Sequence, residues 1–214
     1  MNVFELNEDN VGFYVVDVSG HGVAASLLSV TISRVLTPSP FLSSLIAKTD
    51  EQTGKIIITP PSDVMTELNR RFPMEESAGQ YFTMAYGILN TSTGEVRYAT
   101  AGQPPLLLMR NNEDPELLKV SGLAIGWVPE ADYEEQTLQL NSGDRLVIYS
   151  DGIPEGMSPA MDQFGDDRML ESFRNSRGQS IDQSAQSIVT DVEAWCGETG
   201  PLDDISVLAL EAKP

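Results

Sequence analysis

Apolar and polar positions alternate along this chain in a way that separates a strand-rich part from blocks of helix. Residues 11–17 form a compact β-branched and aromatic run ending in Asp17, which predicts a buried strand. It leads into Ser19, Gly20, His21 and Gly22, and then residues 23–36 carry apolar side chains at helical spacing with no internal Gly or Pro. Pro38 and Pro40 stop that helix. Residues 41–61 lack a clear period, although 55–59 read as a short edge strand, and the segment is expected to be an insertion or surface flap. Pro60 and Pro61 open a second helix to about Phe72, with Ser62 or Asp63 as its expected N-cap.

Beyond that helix the period changes to that of strands. Residues 81–89 and 95–100 flank Asn90-Thr-Ser-Thr-Gly94, a hairpin signal. Short strands are predicted at 105–110, 117–120, 133–140 and 145–149, with a turn at 141–144. Helices follow at about 166–175 and 180–196, and a closing strand at 204–211. Hairpin-linked strands with segregated helices predict an α+β fold, stacked antiparallel sheets covered by helices. No repeat or linker is visible, so residues 1–214 read as a single domain.

Charge narrows the function. Thirteen Lys and Arg stand against 32 Asp and Glu, a net charge of −19, so a nucleic acid or an anionic membrane surface is repelled. No apolar run approaches the roughly 18 residues that span a bilayer, and residues 1–5 do not resemble a signal peptide. The lone cysteine, Cys196, has no partner for an internal disulfide, consistent with a cytoplasmic protein. A cysteine-phosphatase loop needs Arg six residues after its thiolate, where this chain has Leu202. The single histidine, His21, cannot build a His-rich zinc site, and no G-x-S-x-G elbow presents a serine.

Carboxylates are the chemistry left. Asp17, Asp151 and the Asp203-Asp204 pair each stand beside an apolar strand, where rigid backbone holds a ligand steady. Oxygen-only sets of this kind suit Mg²⁺ or Mn²⁺. Any one Asp-Gly is an ordinary turn; the triple arrangement is what carries weight. Gly20-His-Gly-Val-Ala-Ala25 also matches a dinucleotide-binding loop, but no second strand ending in an acidic residue follows about 20 positions on, so that reading is set aside. Trp127 and Trp195 read as packing residues.

Phe13-Tyr-Val-Val-Asp-Val-Ser-Gly-His-Gly-Val-Ala-Ala-Ser-Leu27 resembles the signature of the PPM/PP2C-type metal-dependent protein phosphatases, in the bacterial SpoIIE/RsbU branch. Tyr98-Ala-Thr-Ala-Gly-Gln-Pro-Pro-Leu-Leu107, Gly122-Leu-Ala-Ile-Gly126, Tyr149-Ser-Asp-Gly-Ile-Pro-Glu155 and Asp203-Asp-Ile-Ser206 continue the resemblance in family order. It implies an α-β-β-α sandwich and a binuclear Mn²⁺/Mg²⁺ site. Asp17 bridges both ions and the Val18 carbonyl ligates one, while Asp151 and Asp203 hold the other, with Asp204 in reserve. It also implies a phosphoserine/phosphothreonine substrate on an anti-sigma-factor antagonist, hydrolysed by metal-activated water, and an upstream sensory or receiver domain in the full-length protein.

The chain departs from the family at its start. A strand with a Gly-Asp motif is expected ahead of residues 3–6 and is not there, so the domain reads as lacking its first strand. The expectations that follow are weaker binding of the second ion, impaired turnover and an edge through which the chain dimerises. A non-catalytic pseudophosphatase that only binds its partner is the alternative. His21 is read as an exposed residue at a helix start in preference to a general acid.

Overall fold

The computed structural model describes residues 1–38, 44–50, 53–119 and 121–213. In chain order the first elements are β1 (Asn2–Glu5), β2 (Asn10–Val18), α1 (Val23–Val35), β3 (Ala47–Thr49), β4 (Ile56–Ile58), α2 (Pro61–Arg71), β5 (Phe82–Asn90) and β6 (Glu95–Ala101). They are followed by β7 (Leu107–Met109), β8 (Glu116–Leu117), β9 (Gln136–Gln139), β10 (Arg145–Tyr149), α3 (Gly165–Asn175), α4 (Ile181–Cys196) and β11 (Val207–Glu211). The chain, read from sequence as one domain, folds as two compact units, Met1–Gln103 with Val120–Gln139, and Pro104–Lys119 with Leu140–Pro214.

The first unit is built on an antiparallel sheet in the order β1-β2-β5-β6-β9. Side chains alternate across it. Tyr14, Val16 and Val18 share a core with Phe82, Met84, Tyr86 and Ile88, closed by Ile32 of α1 and by Val64, Met65 and Leu68 of α2. Phe13 and Val15, on the other face, are also buried. Strands with both faces buried read as continuous apolar runs, which explains why residues 11–17 show no alternation. Phe13 is opposite Gly87 in the register, and a Cβ there would stand 2.3 Å from the Phe13 ring. The glycine therefore lets the aromatic lie flat across the neighbouring strand.

The second unit carries the antiparallel sheet β11-β10-β7-β8. Every residue of β10 is buried. Val147 and Tyr149 pack with Leu107, Met169, Phe173, Ile188 and Val192. Two charged groups in this unit are buried and fully engaged. Asp144 takes an ion pair from Arg110 at 2.8 Å and accepts the Asn111 and Asn141 backbone amides, while Arg145 donates to Glu211, to Ser184 Oγ and to the Gln179 carbonyl. Helix α4 begins with a full capping box between Ser180 and Gln183, the start its pattern predicts.

Three expectations change. Helix α2 starts at Pro61 with Pro60 as its cap and no side-chain cap bond, so Ser62 and Asp63 lie inside the helix. Proline in the first turn needs no amide partner and already has a helical φ, and here it decides the start. Strand β11 begins at Val207 instead of Asp204, because residues 204–206 bond to another loop described below. Within 41–61, β3 and β4 pair as a small antiparallel hairpin, and Ile56 and Ile57 are exposed. Its base is not a surface feature, since Leu45 and Ile46 lie in the first unit's core. Residues 41–43 and 51–52 of that segment lie outside the described residues.

The segment accordingly combines core residues, Leu45 and Ile46, with exposed ones on β4. Ile46→Ala should destabilise by about 2–5 kcal/mol through an unfilled cavity. Ile57→Ala, which is 54% exposed, should stay within about 0.5 kcal/mol of wild type. Urea denaturation of the two variants checks this, and equal losses would contradict it.

Candidate metal centre

In the first unit, Asp17 and Val18 are the last two residues of β2, and Asp17 is half-buried opposite Thr83. The turn beyond them is fixed to the neighbouring segment. Ser19 N donates to the Tyr81 carbonyl at 2.9 Å, Tyr81 N donates to Ser19 Oγ at 2.9 Å, and Gln80 Nε2 donates to the Ser19 carbonyl at 3.2 Å. The hydroxyl of Thr83 donates to Oε1 of the buried Gln103 at 3.2 Å. A carboxylate and a backbone carbonyl are thus presented at the end of a strand whose register is fixed over its whole length.

In the second unit, β10 runs into Ser150, Asp151 and Gly152. Ser150 N donates to the Ser206 carbonyl at 3.0 Å. Ser150 Oγ donates to the Asp204 carbonyl and accepts from Ser206 N, both at 2.9 Å. A Cβ on Gly152 would stand 2.6 Å from the Asp204 carbonyl oxygen, so only glycine permits this approach of the two loops. The backbone after Ser150 and the backbone at residues 203–206 are therefore held against each other. Asp203 Oδ1 accepts the Asp204 amide at 2.7 Å, and both residues are exposed.

Asp17 belongs to the first unit, and the other acidic residues belong to the second. Among the described residues no three His, Cys, Asp or Glu side chains are gathered as a metal site. The donor chemistry still suits a hard cation. Every candidate is a carboxylate or carbonyl oxygen, and such ions keep several waters to complete six-fold coordination.

The family model described as Stage II sporulation protein E (SpoIIE) matches residues 7–213. The chain belongs to the SpoIIE family. Two curated relatives are the phosphoserine phosphatases RsbP and RsbU of Bacillus subtilis. RsbP is 25% identical over 154 residues, covering 70% of this chain and 34% of its own. RsbU is 27% identical over 153 residues, covering 71% of this chain and 41% of its own. This chain thus corresponds to well under half the length of either relative. Among solved structures, the PP2C domain of SiaA from Pseudomonas aeruginosa superposes with a TM-score of 0.77 at 21% identity, covering 98% of this chain and 78% of that one. At that identity the likeness gives the fold, which is PP2C-like and α+β.

Other SpoIIE-type positions carry information that sequence reading missed. Ser150 and Gln103 lie within the quoted motifs and Thr83 outside them, but their roles rest on part-buried hydrogen bonds between distant segments that no local pattern shows. Trp127 is a correction. It is 55% exposed and stacks on Tyr81 with ring centroids 5.4 Å apart and planes 16° from parallel, so it does not fill the core. Trp195 does pack, against Phe164 and beneath the Arg168 guanidinium, with its indole N–H on the Asp162 carbonyl. His21 is exposed in the turn before α1. Cys196 is buried in the second core.

Ser150 should hold the two acidic loops together. Ser150→Ala leaves the Asp204 carbonyl and the Ser206 amide without that partner, which should cost about 1–3 kcal/mol. It should also speed exchange of the Ser206 amide hydrogen. Unchanged stability together with unchanged exchange would contradict this.

Proposed function

We propose that this chain is the catalytic domain of a metal-dependent protein serine/threonine phosphatase. The observation that carries the reading is the Ser150 clamp, which ties the loop carrying Asp151 to the backbone at Asp204 and Ser206 at the end of a fully buried strand. Membership of the SpoIIE family and the names of RsbP and RsbU support it. Asp17 with the Val18 carbonyl, and Asp151 with Asp203, are the proposed oxygen donors to Mn²⁺ or Mg²⁺. Two such cations would supply a water acidified to hydroxide near neutral pH and would neutralise phosphoryl charge during in-line attack.

The protein's own part is positional. Strand pairing to Thr83 holds Asp17, and the hydroxyl of Ser150 holds the backbone around Asp151 and Asp204. Preorganised ligands of this kind lose little freedom when a cation binds. A cysteine nucleophile has no support here, because Cys196 is buried among apolar side chains and cannot reach a phosphoester. The substrate is proposed to be a phosphorylated anti-sigma-factor antagonist, a reading that rests on the family and on the two relatives. An upstream sensory or receiver domain accords with the greater length of those relatives. Among the described residues no helix is long and apolar enough to cross a membrane.

Hydrolysis of a phosphoserine protein in Mn²⁺ tests the assignment. Asp151→Asn and Asp203→Asn should each lower kcat by at least about a hundredfold, with circular dichroism unchanged. Wild-type turnover by the D151N protein would refute the metal role. Binding of the phosphoprotein without turnover by the wild-type domain would favour the non-catalytic reading.

A further inference from the structure

An indole on a protein surface usually has a partner, and Trp127 has half of one. One face stacks on Tyr81, Trp127 is 55% exposed, and Leu123 and Val128 of the same loop are 48% and 40% exposed. The seat beneath it is rigid. Asn69, only 3% exposed, accepts Gly126 N at 2.7 Å and donates to the Val128 and Pro129 carbonyls at 2.9 and 3.0 Å. The Gly126 carbonyl accepts Met74 N at 2.9 Å. A buried amide with three hydrogen bonds thus holds an apolar surface in the shape it needs before anything binds, which lowers the entropy cost of a contact. Large aromatics fixed in this way are the usual anchors of protein recognition.

The position of the pair names its occupant. Both the amide and the carbonyl of Tyr81 bond to Ser19, two residues beyond Asp17. Tyr81 immediately precedes β5, and Thr83, which pairs with Asp17, lies two residues further on, about 7 Å of extended chain. An extended polypeptide covers that distance in about two residues. With a net charge of −19 the surface outside the proposed cation site gives an anionic phosphoprotein no long-range attraction, so short-range apolar contact is a suitable source of added affinity.

Resting on the phosphatase reading above, we propose that the Tyr81–Trp127 pair seats an apolar side chain of the substrate about two residues from its phosphoserine. The pair is a specificity-determining surface and takes no part in the chemistry. It follows that substrates with an apolar flank are preferred to those with a small polar one.

The test compares three proteins, wild type, Trp127→Ala and Trp127→Phe, on three substrates in Mn²⁺. These are p-nitrophenyl phosphate, a phosphoserine peptide with Leu two residues from the phosphoserine, and the same peptide with Gly there. Wild type should favour the Leu peptide by about tenfold in kcat/KM, through KM. W127A should remove that preference, W127F should keep part of it, and all three should turn over p-nitrophenyl phosphate within about twofold. Equal use of both peptides by wild type, a preference that survives in W127A, or a parallel fall on p-nitrophenyl phosphate would overturn the proposal. Fluorescence anisotropy of the labelled peptides separates this from the catalytic claim. If no substrate is hydrolysed, tighter binding of the Leu peptide that W127A abolishes still supports the seat, and equal binding rejects it. A dimer that W127A converts to monomer would assign the surface to self-association and also overturn the proposal.

Discussion

The side chain of Ser150 accepts one backbone hydrogen bond and donates another, and the placement of the second unit's acidic residues depends on it. Its hydroxyl joins the end of β10 to residues 204–206, just ahead of β11, over a separation of more than fifty residues in sequence. The glycine at 152 allows this, because any larger residue would push the Asp204 carbonyl away. The same logic governs the first unit, where Ser19 and Tyr81 exchange backbone and hydroxyl bonds just past Asp17. Carboxylates repel one another, so a cluster of them is stable only on backbone that cannot drift and in the presence of cations that offset their charge. Strand ends provide the first condition.

Much of this was legible in the sequence. The uninterrupted apolar run before Asp17 marked a strand buried on both faces, and the turn at residues 90–94 marked the β5–β6 hairpin. The helical stretch at 180–196 matched α4, whose capping box from Ser180 to Gln183 the structure adds. The acidic positions were legible because each follows or precedes a strong strand signal, and family motifs in order then named the chemistry. What sequence could not supply was contact between distant segments. Nothing local distinguishes Ser150 from other serines, or shows that Asn69 holds the loop carrying Trp127. Leu45 and Ile46 lack a period because they are adjacent in sequence and both enter the core. Ser62 looked like a cap because the rule for capping side chains was weighed above the rule for proline in the first turn.

One departure falls near the proposed chemistry. Trp127 breaks the expectation that it packs in the core, and its stacking partner Tyr81 bonds to Ser19, just past Asp17. Local rules tend to fail where a surface serves binding instead of packing. The residues that obey them, such as Phe13 over Gly87 and Arg145 within its set of acceptors, hold the sheets whose ends carry the donors.

The central claim is that Asp17 and Asp151 are ligands to a hard divalent cation, and calorimetric titration with Mn²⁺ tests it most directly. Wild type should bind Mn²⁺, Asp17→Ala should lose the most affinity, and Asp151→Asn should bind about tenfold more weakly or worse. Asp63→Ala, on helix α2, should bind as wild type does. Mn²⁺ affinity that is unchanged in the Asp17 and Asp151 variants, or no more altered than in the Asp63 variant, would contradict the account.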